Sequence, residues 1–150
     1  MATKFTLSAF AIVLDWRNRI LLAHRRDMDL WDLPGGGLEP DELPTEAAIR
    51  ETKEETGLDV RVDRLFAVAN TPDNRMAFAF YCHAIGGAMT TGEESDDVRF
   101  FSLDKLPENL SPRKRALIQL VKEHPREVIF RHIDLPKAQE YIAVYGDKPE

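Results

Sequence analysis

Gly36–Leu58 reads GGLEPDELPTEAAIRETKEETGL, and it is decisive because it places acidic residues where an ordinary helix avoids them. If Leu43 to Thr56 is helical, a rotation of about 100° per residue brings Glu51, Glu54 and Glu55 into an arc of about 100°. Like charges at i,i+3 and i,i+4 repel by about 0.2–0.5 kcal/mol per pair. Glu54 and Glu55 also fall in the last turn before Gly57, where the negative end of the helix dipole costs about 0.3–1 kcal/mol. Breaking two local rules together marks a functional site, and a hard divalent cation such as Mg²⁺ would reverse both penalties. The competing reading is a solvated helix face, with Arg50 paired to Glu46 or Glu54 and Lys53 nearby. The preceding Pro34-Gly35-Gly36-Gly37 tips the balance, because such a backbone turns sharply and lets a carbonyl face the acidic helix. Gly35, Gly36 and Gly37 are therefore expected to contact a bound cofactor, and Glu39 and Glu42 add carboxylates just ahead. Pro44 suits the first helical position and Gly57 the stop. Leu43 is a poor N-cap, so the helix end is better marked than its start.

Composition frames this reading. The chain of 150 residues, 43% hydrophobic, is long enough to bury one core without staples. A net charge of −6 argues against a nucleic-acid polymer as partner but leaves a free nucleotide open. The single cysteine, Cys82, excludes an intrachain disulfide and sits in an apolar run, where packing is expected rather than nucleophilic chemistry. No signal peptide is recognised at the N-terminus, and no apolar run approaches the roughly 20 residues of a membrane span, so the cytoplasm is expected. His24, His83, His124 and His132 lack zinc-ligand spacing, and no serine stands in a G-x-S-x-G turn.

Outward from the acidic run, Phe5 to Leu14 and Ile20 to His24 read as strands joined by a turn and are expected to form a hairpin. Trp31 to Leu33 is a short apolar approach to the glycines. Leu58 to Ala69 and Met76 to Ile85 read as strands around the turn residues Asn70 to Asn74. Gly86 to Asp97 reads as a polar loop, and Val98 to Leu103 returns to the sheet. Pro112 to Glu123 is predicted helical, with Ala116, Leu117, Leu120 and Val121 as its apolar stripe and Arg113-Lys114-Arg115 as a solvated face. Val128 to Ile133 is predicted a strand and Pro136 to Tyr145 a short helix, within a C-terminal extension (125–150) packed on the main domain (1–124). This order fits an α+β fold, a mixed sheet between helices.

Gly36-x5-Glu42-x7-Arg50-Glu51-Thr52-Lys53-Glu54-Glu55-Thr56-Gly57-Leu58 resembles the Nudix box, with every glycine, glutamate and arginine of the signature in register. Thr52 departs from the family's usual aliphatic residue, and Asp41 stands where a glycine is common. The resemblance extends over about residues 4 to 123, including Phe100-Phe101-Ser102-Leu103-Asp104. It implies an α/β/α sandwich and Mg²⁺-dependent cleavage, with Mn²⁺ able to substitute, of a nucleoside diphosphate linked to some group X. Glu51, Glu54 and Glu55, with a carbonyl at Gly35 or Gly36, are the implied metal ligands. Arg50 would orient Glu51, and Glu54 or Glu51 would activate water. Relatives often supply a further carboxylate from the loop before the last strand; among Glu93, Glu94, Asp96 and Asp97, Glu94 is the choice. Arg25 and Arg26 lie near the glycines and suit a substrate phosphate. Trp31 suits a stacked base, with core packing as the alternative. Pro72 lies close to where ADP-ribose-cleaving relatives carry a proline, although turn chemistry also accounts for it. A nucleoside triphosphate pyrophosphohydrolase of the housecleaning type is the second enzymatic reading, and a non-catalytic nucleotide-binding module is the reading from another class. A homodimer is compatible with the sequence.

Overall fold

The structure is a computed structural model that describes residues 2–137. In chain order its elements are β1 (Thr6–Val13), β2 (Arg19–Arg25), β3 (Trp31–Asp32), β4 (Gly35–Gly37), α1 (Pro44–Thr56), β5 (Leu58–Thr71), β6 (Arg75–Gly87), β7 (Ser95–Ser102), α2 (Pro112–Glu123) and β8 (Ile129–His132). Among the described residues the strands form a five-stranded mixed sheet, β4-β1-β6-β5-β8, and a three-stranded antiparallel sheet, β3-β2-β7. β1 runs parallel to β6, and β8 parallel to β5. The expected mixed sheet with helices is therefore present, and residues 129–132 are built into its edge. The helix expected at Pro136 to Tyr145 lies, from residue 138 on, outside the described residues.

The anticipated β1/β2 hairpin is corrected. The two strands meet only at a bridge between Leu14 and Ile20, around a turn in which Asn18 takes φ 57, and then part into different sheets. Alternation along β1 explains the divergence. Ala9, Ala11 and Val13 face one core with Leu21 and the α1 residues Ala47 and Ala48. Phe10 and Ile12 face a second core with Ile20, Leu22, Phe66 and the α2 residues Leu117, Ile118 and Val121. A strand buried on both faces needs apolar residues throughout, so β1 reads as a continuous run, and each helix covers one face of the mixed sheet. The β5/β6 loop is the three residues Pro72, Asp73 and Asn74, with Asp73 and Asn74 both at positive φ, a conformation that Asp and Asn tolerate better than most residues. Pro72 is the first residue of this loop, a turn position that suits proline.

α1 is fixed at both ends by its own sequence. Pro44 begins it, and the Glu46 carboxylate accepts a hydrogen bond from the Leu43 N–H at 2.9 Å, which supplies the cap that the leucine side chain lacks. Gly57 ends it in the left-handed conformation, φ 78, donating its N–H to the Lys53 carbonyl. Thr52 is fully buried, yet its hydroxyl donates to the Ala48 carbonyl at 2.7 Å, so a polar side chain is accommodated at an aliphatic position. Asp41 adopts φ 64, a conformation glycine takes freely and aspartate tolerates better than most residues.

Candidate active site

The glycine strand β4 pairs with β1 and lies against the acidic side of α1, so the glycine end of the box meets its glutamate end. Gly36 is close enough to that helix that an added Cβ would stand 2.7 Å from Glu51 Oε1, so a side chain there would displace the Glu51 carboxylate. The Gly35 N–H donates to Glu55 Oε2 at 3.0 Å. Arg50 ties the loop to the helix. Its guanidinium donates to both Glu42 oxygens at 2.7 and 3.0 Å, to Glu51 Oε1 at 3.0 Å and to the Gly37 carbonyl at 3.2 Å. That bidentate hydrogen bond, helped by the Glu39 N–H, lowers the Glu42 pKa to about 2.

Glu51, Glu55 and Glu94 each bring a carboxylate oxygen within 4.8 Å of the other two. Burial is the main reason that the Glu55 pKa is pushed up to about 9, and the neighbouring Glu51, Asp32 and Glu94 add repulsion. Burial also raises Glu51, against the opposing pull of Arg50. Glu51 and Glu55 are thus held at an electrostatic cost, and hard oxygen donors that converge in this way suit a hard divalent cation. They adjoin a cavity of about 700 Å³ whose walls include Gly35, Gly36, Gly37, Glu55 and Glu94.

The NUDIX domain family model matches residues 4–121 of this chain. The chain belongs to the Nudix family. A Bacillus subtilis relative provisionally named 8-oxo-dGTP diphosphatase is 36% identical over 126 residues, which span 83% of this chain and 85% of the relative. An ADP-ribose pyrophosphatase from Methanocaldococcus jannaschii is 35% identical over 103 residues, covering 63% of this chain and 61% of the relative. A crystal structure of an ADP-ribose pyrophosphatase from Streptococcus suis superposes with a TM-score of 0.70 at 29% identity, covering 87% of this chain and 100% of that one. The protein is thus a Nudix hydrolase with an α+β sandwich fold, acting on phosphorus-containing acid anhydrides.

Within this Nudix site the structure sorts the residues singled out from sequence. Glu51, Glu55 and Glu94 come together; Glu54 does not join them. Its side chain is 56% exposed and lies 3.3 Å from Arg50. Of the four loop acids, Asp96 is taken by His24 at 2.6 Å and Asp97 by Arg99 at 2.6 Å, whereas Glu93 and Glu94 line the cavity. Arg25 also lines it, held bidentately by Asp27 at 2.9 and 2.8 Å. Arg26 reaches the cavity wall, but its guanidinium is bonded to the Ser95 and Gly92 carbonyls, so it is not aimed at a substrate phosphate. Trp31 belongs to the core. It is 8% exposed, packed edge-on against Phe101 at 4.8 Å and His24 at 5.2 Å, and it is absent from the cavity wall.

Asp32 and Lys114 are charged wall residues that escaped the sequence reading. Asp32 lies beneath the site, 3.2 Å from Lys114 Nζ, and that ammonium sits 4.1 Å over the Phe10 ring. Lys114 is therefore part of the cavity rather than of a solvated face. Its signal was present but ambiguous: Arg113-Lys114-Arg115 opens a helix, and packing against β1 turns Lys114 inward, with Arg113 also on the cavity wall. Cys82 is buried, and burial pushes its thiol up to about 12, which leaves it a packing residue. Among the described residues no helix is long and apolar enough to cross a membrane.

Proposed function

We propose that this Nudix hydrolase cleaves, in a Mg²⁺-dependent manner, the diphosphate linkage of a nucleoside diphosphate joined to a group X, with ADP-ribose as the leading candidate. The observation that carries the reading is the convergence of Glu51, Glu55 and Glu94 at one end of the cavity, beside the backbone of Gly35–Gly37. These three carboxylates would hold Mg²⁺ or Mn²⁺, with a glycine carbonyl of β4 as a further oxygen donor. The bound cation would screen the diphosphate charge and lower the pKa of an attacking water. Arg50 keeps Glu51 pointed at the site and, through Glu42 and Gly37, holds the loop against the helix. The Gly35 N–H fixes one oxygen of Glu55, leaving the other free to turn toward the cavity. Arg25 and Lys114 supply positive charge along the wall, where a phosphate or an acidic substituent of X would lie. Glu54, exposed beside Arg50, is the candidate to accept a proton from water without binding metal.

The names of the relatives divide between ADP-ribose and 8-oxo-dGTP, so a nucleoside triphosphate pyrophosphohydrolase is the second reading, favoured by the extent of the Bacillus subtilis match. A substrate panel in Mg²⁺ with product identification separates them. AMP and ribose 5-phosphate from ADP-ribose support the first reading, and pyrophosphate from a triphosphate supports the second. Turnover that persists in EDTA, or in Glu55→Gln at the wild-type rate, would refute the metal-dependent mechanism.

A further inference from the structure

The segment that carries Glu94 is bolted to the end of α1 that carries Glu51 and Glu55. We propose that Ser95 and Arg26 are positioning residues that build the third carboxylate into the metal site; the proposal rests on reading Glu94 as a ligand. Ser95 is 2% exposed, and its hydroxyl is used twice. It donates to the Glu55 backbone carbonyl at 2.6 Å and accepts from the Gly92 N–H at 3.0 Å. The first bond satisfies one of the carbonyls that a helix leaves open in its last turn. Thr90 N–H satisfies the next, the Thr56 carbonyl, at 2.8 Å. Gly92 packs so closely on the Glu54 carbonyl that a Cβ there would collide with it.

From the other side Arg26 grips the same segment. Its backbone N–H donates to the Glu94 carbonyl at 2.9 Å, and its guanidinium donates to the Ser95 carbonyl at 2.8 Å and the Gly92 carbonyl at 3.3 Å. Glu94 is therefore held between two residues whose backbones are pinned, although its own side chain stays free to bind. A carboxylate on an untethered loop would lose orientational entropy on metal binding, and the clamp removes most of that cost before the cation arrives. The clamp explains why an arginine next to the cavity spends its donors on main-chain carbonyls, and why a serine is buried at the start of β7.

The test is Mn²⁺ binding without substrate, measured by electron paramagnetic resonance titration, on wild type, Glu94→Gln, Ser95→Ala, the Glu94→Gln/Ser95→Ala pair and Arg26→Met. Ser95→Ala and Arg26→Met are each expected to weaken Mn²⁺ about tenfold, the effect of losing one or two modest hydrogen bonds. The pair is expected to bind like Glu94→Gln alone, because positioning a carboxylate that is gone has no value. Wild-type affinity in both Ser95→Ala and Arg26→Met, with Glu94→Gln weakened, overturns the positioning role while leaving Glu94 a ligand. Wild-type affinity in Glu94→Gln overturns the ligand reading and this proposal with it. Losses that multiply in the pair show a general structural effect and also overturn it. Arg26→Met, altered at a partly exposed side chain, keeps the test open should Ser95→Ala fold poorly.

Discussion

Replacing Glu55 by glutamine should stabilise the metal-free protein while disabling the enzyme. Glu55 has a folded pKa of about 9 against an ordinary 4.5, so between those values the folded state holds a proton that the unfolded state releases. Fewer protons are bound on unfolding, and the stability of the wild type must fall as pH rises through this window. At pH 7 the full shift corresponds to about 3 kcal/mol, from 1.36 kcal/mol per unit over the interval from 4.5, and hydration of the partly open site reduces this to about 1–3 kcal/mol. Glutamine keeps an oxygen that can accept the Gly35 N–H and has no charge to desolvate. In EDTA at pH 7, differential scanning calorimetry should show Glu55→Gln melting about 2–10 °C above wild type, the margin closing toward pH 4.5. Saturating Mg²⁺ should erase or reverse the margin, because only the wild type gains the bound cation's stabilisation. A metal-free Glu55→Gln protein that melts below wild type throughout pH 5–8 would refute the view that Glu55 sits in the site at an electrostatic cost.

Three further outcomes follow from neighbouring residues. Calorimetric Mg²⁺ titration should find binding weakened at least about tenfold in Glu51→Gln but less than about threefold in Glu54→Gln, whose main effect should be on kcat; equal losses of affinity would return Glu54 to the ligand set. Thr52→Val should change stability by less than about 1 kcal/mol in urea unfolding, since the Ala48 carbonyl keeps its helical N–H partner; a larger loss would mean that the buried hydroxyl has a role beyond its own helix. For His24, burial lowers the pKa, but hydrogen bonds to Asp29 at 2.8 Å and Asp96 at 2.6 Å outweigh it and raise the net value above 6.5. Its contribution to stability is full below about pH 6.5 and is lost as pH rises through the folded value, so His24→Gln should be more damaging at pH 5.5 than at pH 8.5. A difference that grows with pH, or an NMR-titrated imidazole pKa below 6.5, contradicts this assignment.

The sequence by itself determined the element that makes the chemistry. Between Gly36 and Leu58 the glycines, the proline at the helix start, the left-handed stop at Gly57 and the clustered glutamates are local signals, each tied to backbone conformation or to charges a turn apart. They were legible because helical geometry fixes neighbours three and four residues away. Nothing local, however, told Glu94 from Glu93, Asp96 or Asp97, or showed that Glu54 would turn toward solvent. Those choices depend on where the segment before β7 docks on α1, which Ser95 and Arg26 fix through bonds spanning 40 and 69 residues. The parting of β1 from β2 was hidden for a similar reason: a strand buried on both faces looks the same in sequence whichever sheet it joins. Local geometry thus supplied the acidic helix and its glycine partner, and tertiary packing decided which carboxylates converge, because convergence is a property of distances that sequence spacing does not fix.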